Sequence, residues 1–211
     1  MRSRVLAAVI MGGLLLGASN ARAALLVFTD ESSFLAAIGG AVLTTEGFNA
    51  GPLGTTAGPL TVGALSYNTA SGNVAVTDIP QLIGEGARGI IWNDATVHGD
   101  ATFSVSSPVN VLAIDLKNLG QGGPTTLSAQ VDGGSFFDVF VNVTGVIGDF
   151  RFLGLVDDAG TFSSVTLSNS AVNLVGLDPV RYGNAVVVPE PATASLLVVG
   201  LALLDARRRR S

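Results

Sequence analysis

Residues 162–168 read Phe162-Ser163-Ser164-Val165-Thr166-Leu167-Ser168. From Val165 onward apolar and polar residues alternate with a period of two. In an extended chain that puts Val165 and Leu167 on one face and Thr166 and Ser168 on the other. The same period recurs upstream. Val74 and Val76 share a face, as do Phe103 and Val105. Leu112, Ile114 and Leu116 face one way, with Asn110 and Lys117 in or beside the opposite polar pattern. Phe137, Val139, Val141 and Val143 oppose Asp138 and Asn142. Gly, Asn, Asp and Pro separate these runs, and about ten short alternating strands with turns between them predict an all-β sandwich, in its jelly-roll version. One short helix is expected near the start. Thr29 or Asp30 can cap it, Phe34, Leu35 and Ile38 give it an apolar face, and Gly39-Gly40 stops it. The Gly- and Pro-rich segment from Phe48 to Gly63 reads as a long loop, and Asp157-Asp158 before Gly160 as a hairpin turn.

Composition removes several kinds of chemistry. The chain has 211 residues, of which 48% are hydrophobic and 13% charged, about half the usual charged share. It has no Cys and one His, His98, which excludes thiol catalysis, disulfides and Cys/His zinc sites. The formal charge is −5, but seven of the eleven basic residues lie near the two ends. From Ala24 to Val188 only Arg88, Lys117, Arg151 and Arg181 face fourteen acids, and 4 − 14 leaves −10. So acidic a body repels phosphate backbones, so nucleic acid is not an expected partner.

Both ends read as addresses. Residues 1–23 have a positive start at Arg2 and Arg4, an apolar stretch from Val5 to Gly17 and a small-x-small site at Ala21-Arg22-Ala23. That is the pattern of a secretory signal peptide, with the mature chain starting at Ala24. At the other end, Pro189-Glu190-Pro191 opens a segment in which Ala192–Leu204 is an apolar helix of 13 residues. Such a helix is about 20 Å long against a hydrocarbon core of about 30 Å, a marginal anchor. Arg207, Arg208, Arg209 and Arg210 follow and would hold its far end on the cytoplasmic side.

The Pro-Glu-Pro tripeptide, the short apolar helix and the terminal arginine cluster together resemble the sorting tail of PEP-CTERM exported proteins of Gram-negative bacteria. The resemblance implies recognition by an exosortase, a membrane processing enzyme, with removal of the tail near Pro189–Pro191. It also implies delivery to the cell surface or to extracellular polysaccharide. Asp205 departs from the pattern by placing an acid between helix and arginines. The division that follows is 1–23 signal peptide, 24–188 β-sandwich and 189–211 sorting tail.

A second resemblance covers the body. Phe28-Thr29-Asp30, Phe34 and Thr45-Glu46-Gly47-Phe48 are similar to the opening of many proteins with this tail. Residues 162–167 and Leu177-Asp178-Pro179-Val180-Arg181-Tyr182-Gly183 are similar to their closing strands. Those proteins resemble carbohydrate-binding jelly rolls, in which a structural calcium often ties the first strands to the last. Carried over by position, the resemblance implies Glu46 and Asp178 as calcium ligands; the alternative is that both are plain strand-edge acids. Gly47, Asn49 and Pro179 stand where further ligands are common.

Catalysis finds no assembled constellation. Asp94, His98 and Asp100 form either a metal or acid–base group or a polar loop. No Gly-x-Ser-x-Gly elbow occurs, and no carboxylate pair, Glu85 included, stands out among the acids. Tyr67, Trp92 and Tyr182 are the aromatics able to stack on a sugar, although Trp92 after Ile90-Ile91 reads as core. The expectation is a non-enzymatic exported protein of the surface or matrix. The alternative is a carbohydrate-binding module, calcium-stabilised if Glu46 and Asp178 are ligands. The tail gives the first prediction. Replacing Arg207–Arg210 by Ser, or Pro189 and Pro191 by Ala, should leave an unprocessed precursor in the envelope fraction, read by immunoblot of cell fractions. Wild-type processing in both variants would exclude a sorting role.

Overall fold

The computed structural model describes residues 25–83, 88–92, 99–171 and 174–186. The expected signal peptide, the expected sorting tail with Pro189–Pro191 and Arg207–Arg210, and Glu85, Asp94 and His98 lie outside the described residues. In chain order the elements are β1 (Leu25–Phe28), α1 (Glu31–Ala37), β2 (Thr44–Glu46), β3 (Gly54–Ala57), β4 (Leu60–Val62), β5 (Leu65–Thr69) and β6 (Asn73–Thr77). There follow β7 (Gly89–Trp92), β8 (Ala101–Val109), β9 (Val111–Lys117), β10 (Thr125–Val131), β11 (Phe137–Val143), β12 (Phe150–Asp157), β13 (Phe162–Asn169) and β14 (Val175–Gly183). Two antiparallel sheets form a sandwich. The larger runs β1-β12-β9-β14-β7-β6-β3, with β2 also on β14; the smaller runs β11-β10-β13-β8-β5-β4.

The alternation read from the sequence fills the space between the sheets. Phe103, Val105, Leu112, Ile114, Leu116, Val165 and Leu167 all lie in that core. The larger sheet is covered on its other face as well over β9 and β12. There Val111, Ala113, Phe152 and Val156 pack with Phe34 and Ile38 of α1. β9 is therefore buried on both faces, whereas the smaller sheet keeps one face toward solvent.

Local chemistry explains why α1 forms where it does. Asp30 is the N-cap, its carboxylate accepting from the Ser33 N–H at 2.9 Å and from the Ser32 hydroxyl at 2.7 Å. Gly39 and Gly40 leave the helix at φ 61° and 72°, the left-handed region that ends helices at little cost. Phe34 seats its ring against Gly154, where a Cβ would stand 2.5 Å from Phe34 Cδ2, and lies 5.2 Å from the Phe152 ring. Leu35, expected on the apolar face, is instead 45% exposed, because Phe34 and Ile38, one turn apart, already fill the contact with β12.

Arg181 ties this layer down. Its guanidinium donates to Glu31 of α1 and, at 2.8 Å, to Asp115 of β9, and lies 5.4 Å from the Phe152 ring centroid. Burial opposes its charge, but Glu31 and Asp115 outweigh that, holding its pKa above the ordinary value.

Three expectations change. The Phe48–Gly63 segment contains β3 and β4. β3 is exposed along its whole length and rests on ladder bonds to β6, so it carries no apolar period to read. In β11 the pairing shifts twice, with Leu127 opposite Phe140 and Ala129 opposite Phe137. The bulges turn Phe140 inward and leave Val141 65% exposed, breaking the expected common face of Val139, Val141 and Val143. Asp157 does shape a turn, accepting from Gly160 N at 2.8 Å. That turn joins β12 of the larger sheet to β13 of the smaller, so it is a crossing between sheets and not a hairpin.

Two outcomes test these contacts. Asp30 has a lowered pKa, caused first by the Ser32 hydroxyl and then by the Ser33 N–H. A depressed carboxylate contributes stability that is present above its unfolded pKa, near 3.8, and lost as pH falls through the lower folded value. Asp30→Ala should therefore lower Tm at neutral pH, and its deficit should vanish in strongly acidic buffer. Separately, Arg181→Met should cost about 3 kcal/mol in urea unfolding by leaving Asp115 buried without its cation. Combining it with Asp115→Leu should recover most of that loss.

Candidate functional site

The outward face of the smaller sheet is built from the polar half of the alternation. In β5, β8, β10 and β13, Leu65, Tyr67, Phe103, Val105, Leu127, Ala129, Val165 and Leu167 turn inward, so the residues between them face out. Register then sets them in rows. Asn68, Thr102, Thr166 and Gln130 line up across β5, β8, β13 and β10. Thr61, Ser66, Ser104 and Ser164 form the next row across β4, β5, β8 and β13. Ser168, Ser128 and Asp138 make a third across β13, β10 and β11.

These side chains hold one another. The Thr102 and Thr166 hydroxyls are 3.0 Å apart, Thr61 donates to Ser66 at 3.3 Å, and Ser128 donates to Asp138 at 2.6 Å. At the end of the second row Asp132 accepts from the backbone N–H groups of Ser163 and Ser164 at 2.9 and 2.8 Å, locking β10 to β13. Across the six strands of this sheet the one charged side chain is Asp138. Solvated sheet faces ordinarily mix in Lys, Glu and Arg. The rows across β5, β8, β13 and β10 present hydroxyls and amides, groups that both donate and accept, with almost no net field.

The residues singled out from the sequence lie elsewhere. Tyr67 and Trp92 are wholly buried and Tyr182 nearly so, which removes all three as stacking platforms. Trp92 Nε1–H donates to the Gly99 carbonyl at 2.8 Å. Glu46 pairs with core-facing Val180, and its Oε2 lies 3.3 Å from where a Gly63 Cβ would stand, close to Tyr182. Asp178 faces the other way. It is fully buried beside Gly89, whose Cβ would stand 2.8 Å from the Asp178 Cβ and 3.0 Å from Ile83. The two proposed calcium ligands thus leave the larger sheet on opposite faces, and the fold does not bring them together. Among the described residues no group of three or more His, Asp or Glu side chains is placed to hold a metal. Asp100 accepts the Ala70 N–H through its carbonyl, while Asp94 and His98 lie outside the described residues.

No family model matches the chain, and no curated protein does. Among solved structures it is similar to the K2 cleaved adhesin domain of Lys-gingipain, at 16% identity and a TM-score of 0.45, over 67% of this chain and 99% of that one. A family 29 carbohydrate-binding module is similar at 13% identity and 0.38, over 68% and 92%. The catalytic unit of a GH87 alpha-1,3-glucanase from Streptomyces thermodiastaticus is similar at 14% and 0.36, over 67% of this chain and 26% of that one. At these scores the likeness carries nothing about ligand or activity.

The hydroxyl face was not singled out by the sequence reading, although its signal was there. Thr102, Ser104, Thr166 and Ser168 alternate with core residues in two separate strands. What the sequence lacks is the pairing of β8 with β13, which merges two polar edges into one surface.

Proposed function

We propose that the chain is an exported, non-catalytic polysaccharide-binding protein of the cell surface or matrix, with the hydroxyl face of the smaller sheet as its contact surface. The face carries this reading. Sugar hydroxyls are met by groups that donate and accept in turn, and Thr102, Thr166, Ser104, Asn68 and Gln130 offer these in register. The order of the last eight strands supports a jelly roll. β12-β9-β14-β7 stands over β11-β10-β13-β8, with consecutive strands crossing between sheets at six of seven connections. Residues 1–23 direct export in this reading. The tail from Pro189 to Arg210 presents the chain to an exosortase-type enzyme, which releases it to the surface.

The test is affinity electrophoresis of the protein in gels containing extracellular polysaccharide from the producing cells. Wild type should be retarded. Thr166→Arg, which sets a large cation in the centre of the face, should migrate as in a polysaccharide-free gel while keeping its circular dichroism. An unretarded wild type would exclude the reading.

A further inference from the structure

We infer that the hydroxyl face recognises an uncharged polysaccharide in its ordered, chain-packed form, and not single flexible chains; this rests on the polysaccharide-binding reading above. The inference follows from what the face has and what it lacks. The aromatic candidates Tyr67, Trp92 and Tyr182 are buried, and the outward rows contain none. A single glycan chain docked there would gain only hydrogen bonds that replace ones it already makes to water. It would also give up the freedom of its linkages, with no stacking to offset that loss. A packed polysaccharide surface has already lost that freedom, and its hydroxyls repeat at fixed intervals.

The face is matched to such a partner in three ways. Its rows are spaced about 4.8 Å across strands and about 6.7 Å along them, a two-dimensional repeat and not a groove. Its central side chains, Thr102 and Thr166, are β-branched and already bonded to each other at 3.0 Å, so little rotamer freedom remains to be lost on contact. The twist of a sheet confines contact with a planar partner to the central strands, here β8 and β13 with β5 and β10 beside them. Those strands carry the hydroxyl rows and no charge. Charge excludes the other large class of ligand. The body's balance of −10 repels an anionic polymer, and the face holds no cation to receive one.

The experiment is co-sedimentation of the full chain with crystalline cellulose, crystalline chitin and curdlan, in about 0.1 M and about 1 M salt. Soluble cellohexaose, chitohexaose and laminarihexaose serve as competitors, and alginate as the anionic probe in an affinity gel. At least one solid should deplete the protein equally at both salt concentrations, with no displacement by the matching hexasaccharide. The triple variant Thr102→Val, Ser104→Ala, Thr166→Val keeps side-chain size and should bind at least tenfold more weakly, with an unchanged unfolding midpoint. Displacement by a hexasaccharide, salt-sensitive retardation by alginate, or binding by the triple variant equal to wild type would each overturn the inference. So would retention by none of the solids. If the extracellular polysaccharide of the preceding test still retards the protein, the failure belongs to this inference alone; if it does not, the broader reading falls too.

Discussion

Arg181 stands on β14, the strand to which β2, β7 and β9 all bond, and its guanidinium is shared between Glu31 of α1 and Asp115 of β9. A cation withdrawn from water in this way is tolerable only with its partners in place. Asp115 in turn would be a poorly solvated carboxylate without Arg181. The ring of Phe152 lies beside the guanidinium and joins β12 to the same point. Helix α1, β9, β12 and the last strand, β14, are therefore held together at one place, so α1 packs on an outer face of the larger sheet. With α1 seated, Phe34 and Ile38 can cover Val111, Ala113 and Phe152, and β9 is buried on both faces.

That cover makes the two sheets chemically unlike. Asp115, Lys117, Arg151, Asp157, Asp178 and Arg181 all lie in strands of the larger sheet. Among the described residues no helix lies over the smaller sheet, and its strands carry Asp138 as their one charged side chain. A face left to solvent needs polar side chains, but it does not need to be uncharged. Its near-neutrality within so acidic a body is the property on which the functional reading turns. The core is continuous beneath both sheets, so changes in the outward hydroxyls leave the packing of Phe103, Leu127 and Val165 untouched.

Much of this was legible in order of locality. Asp30 followed by Ser32 and Ser33, and Gly39-Gly40 six residues later, delimit α1 from sequence chemistry alone. The period of two in 103–105, 112–116 and 165–167 names core residues that the fold keeps. Local reading failed where a distant strand chose the outcome. Val141 points outward because β10 opposes it with a shifted register, which nothing in β11 announces. Trp92, Tyr67 and Tyr182 have the chemistry of a sugar platform and the burial of a core, and burial belongs to the whole molecule. Glu46 and Asp178 sit two positions apart in register, yet opposite faces separate them, since Asp178 falls beside Gly89 and Glu46 opposite Val180.

Backbone periodicity, capping and composition act within a few residues or over the whole chain at once. The sequence by itself therefore determined the strand-rich class, the position of the helix, the acidity of the body and the absence of thiol and imidazole clusters. Which face of each strand meets solvent beside which other strand is decided by pairing between segments as far apart as 102 and 166. Only the tertiary structure could assemble those separate Ser and Thr residues into one uncharged surface, because the contacts that align them are absent until the sheets have formed.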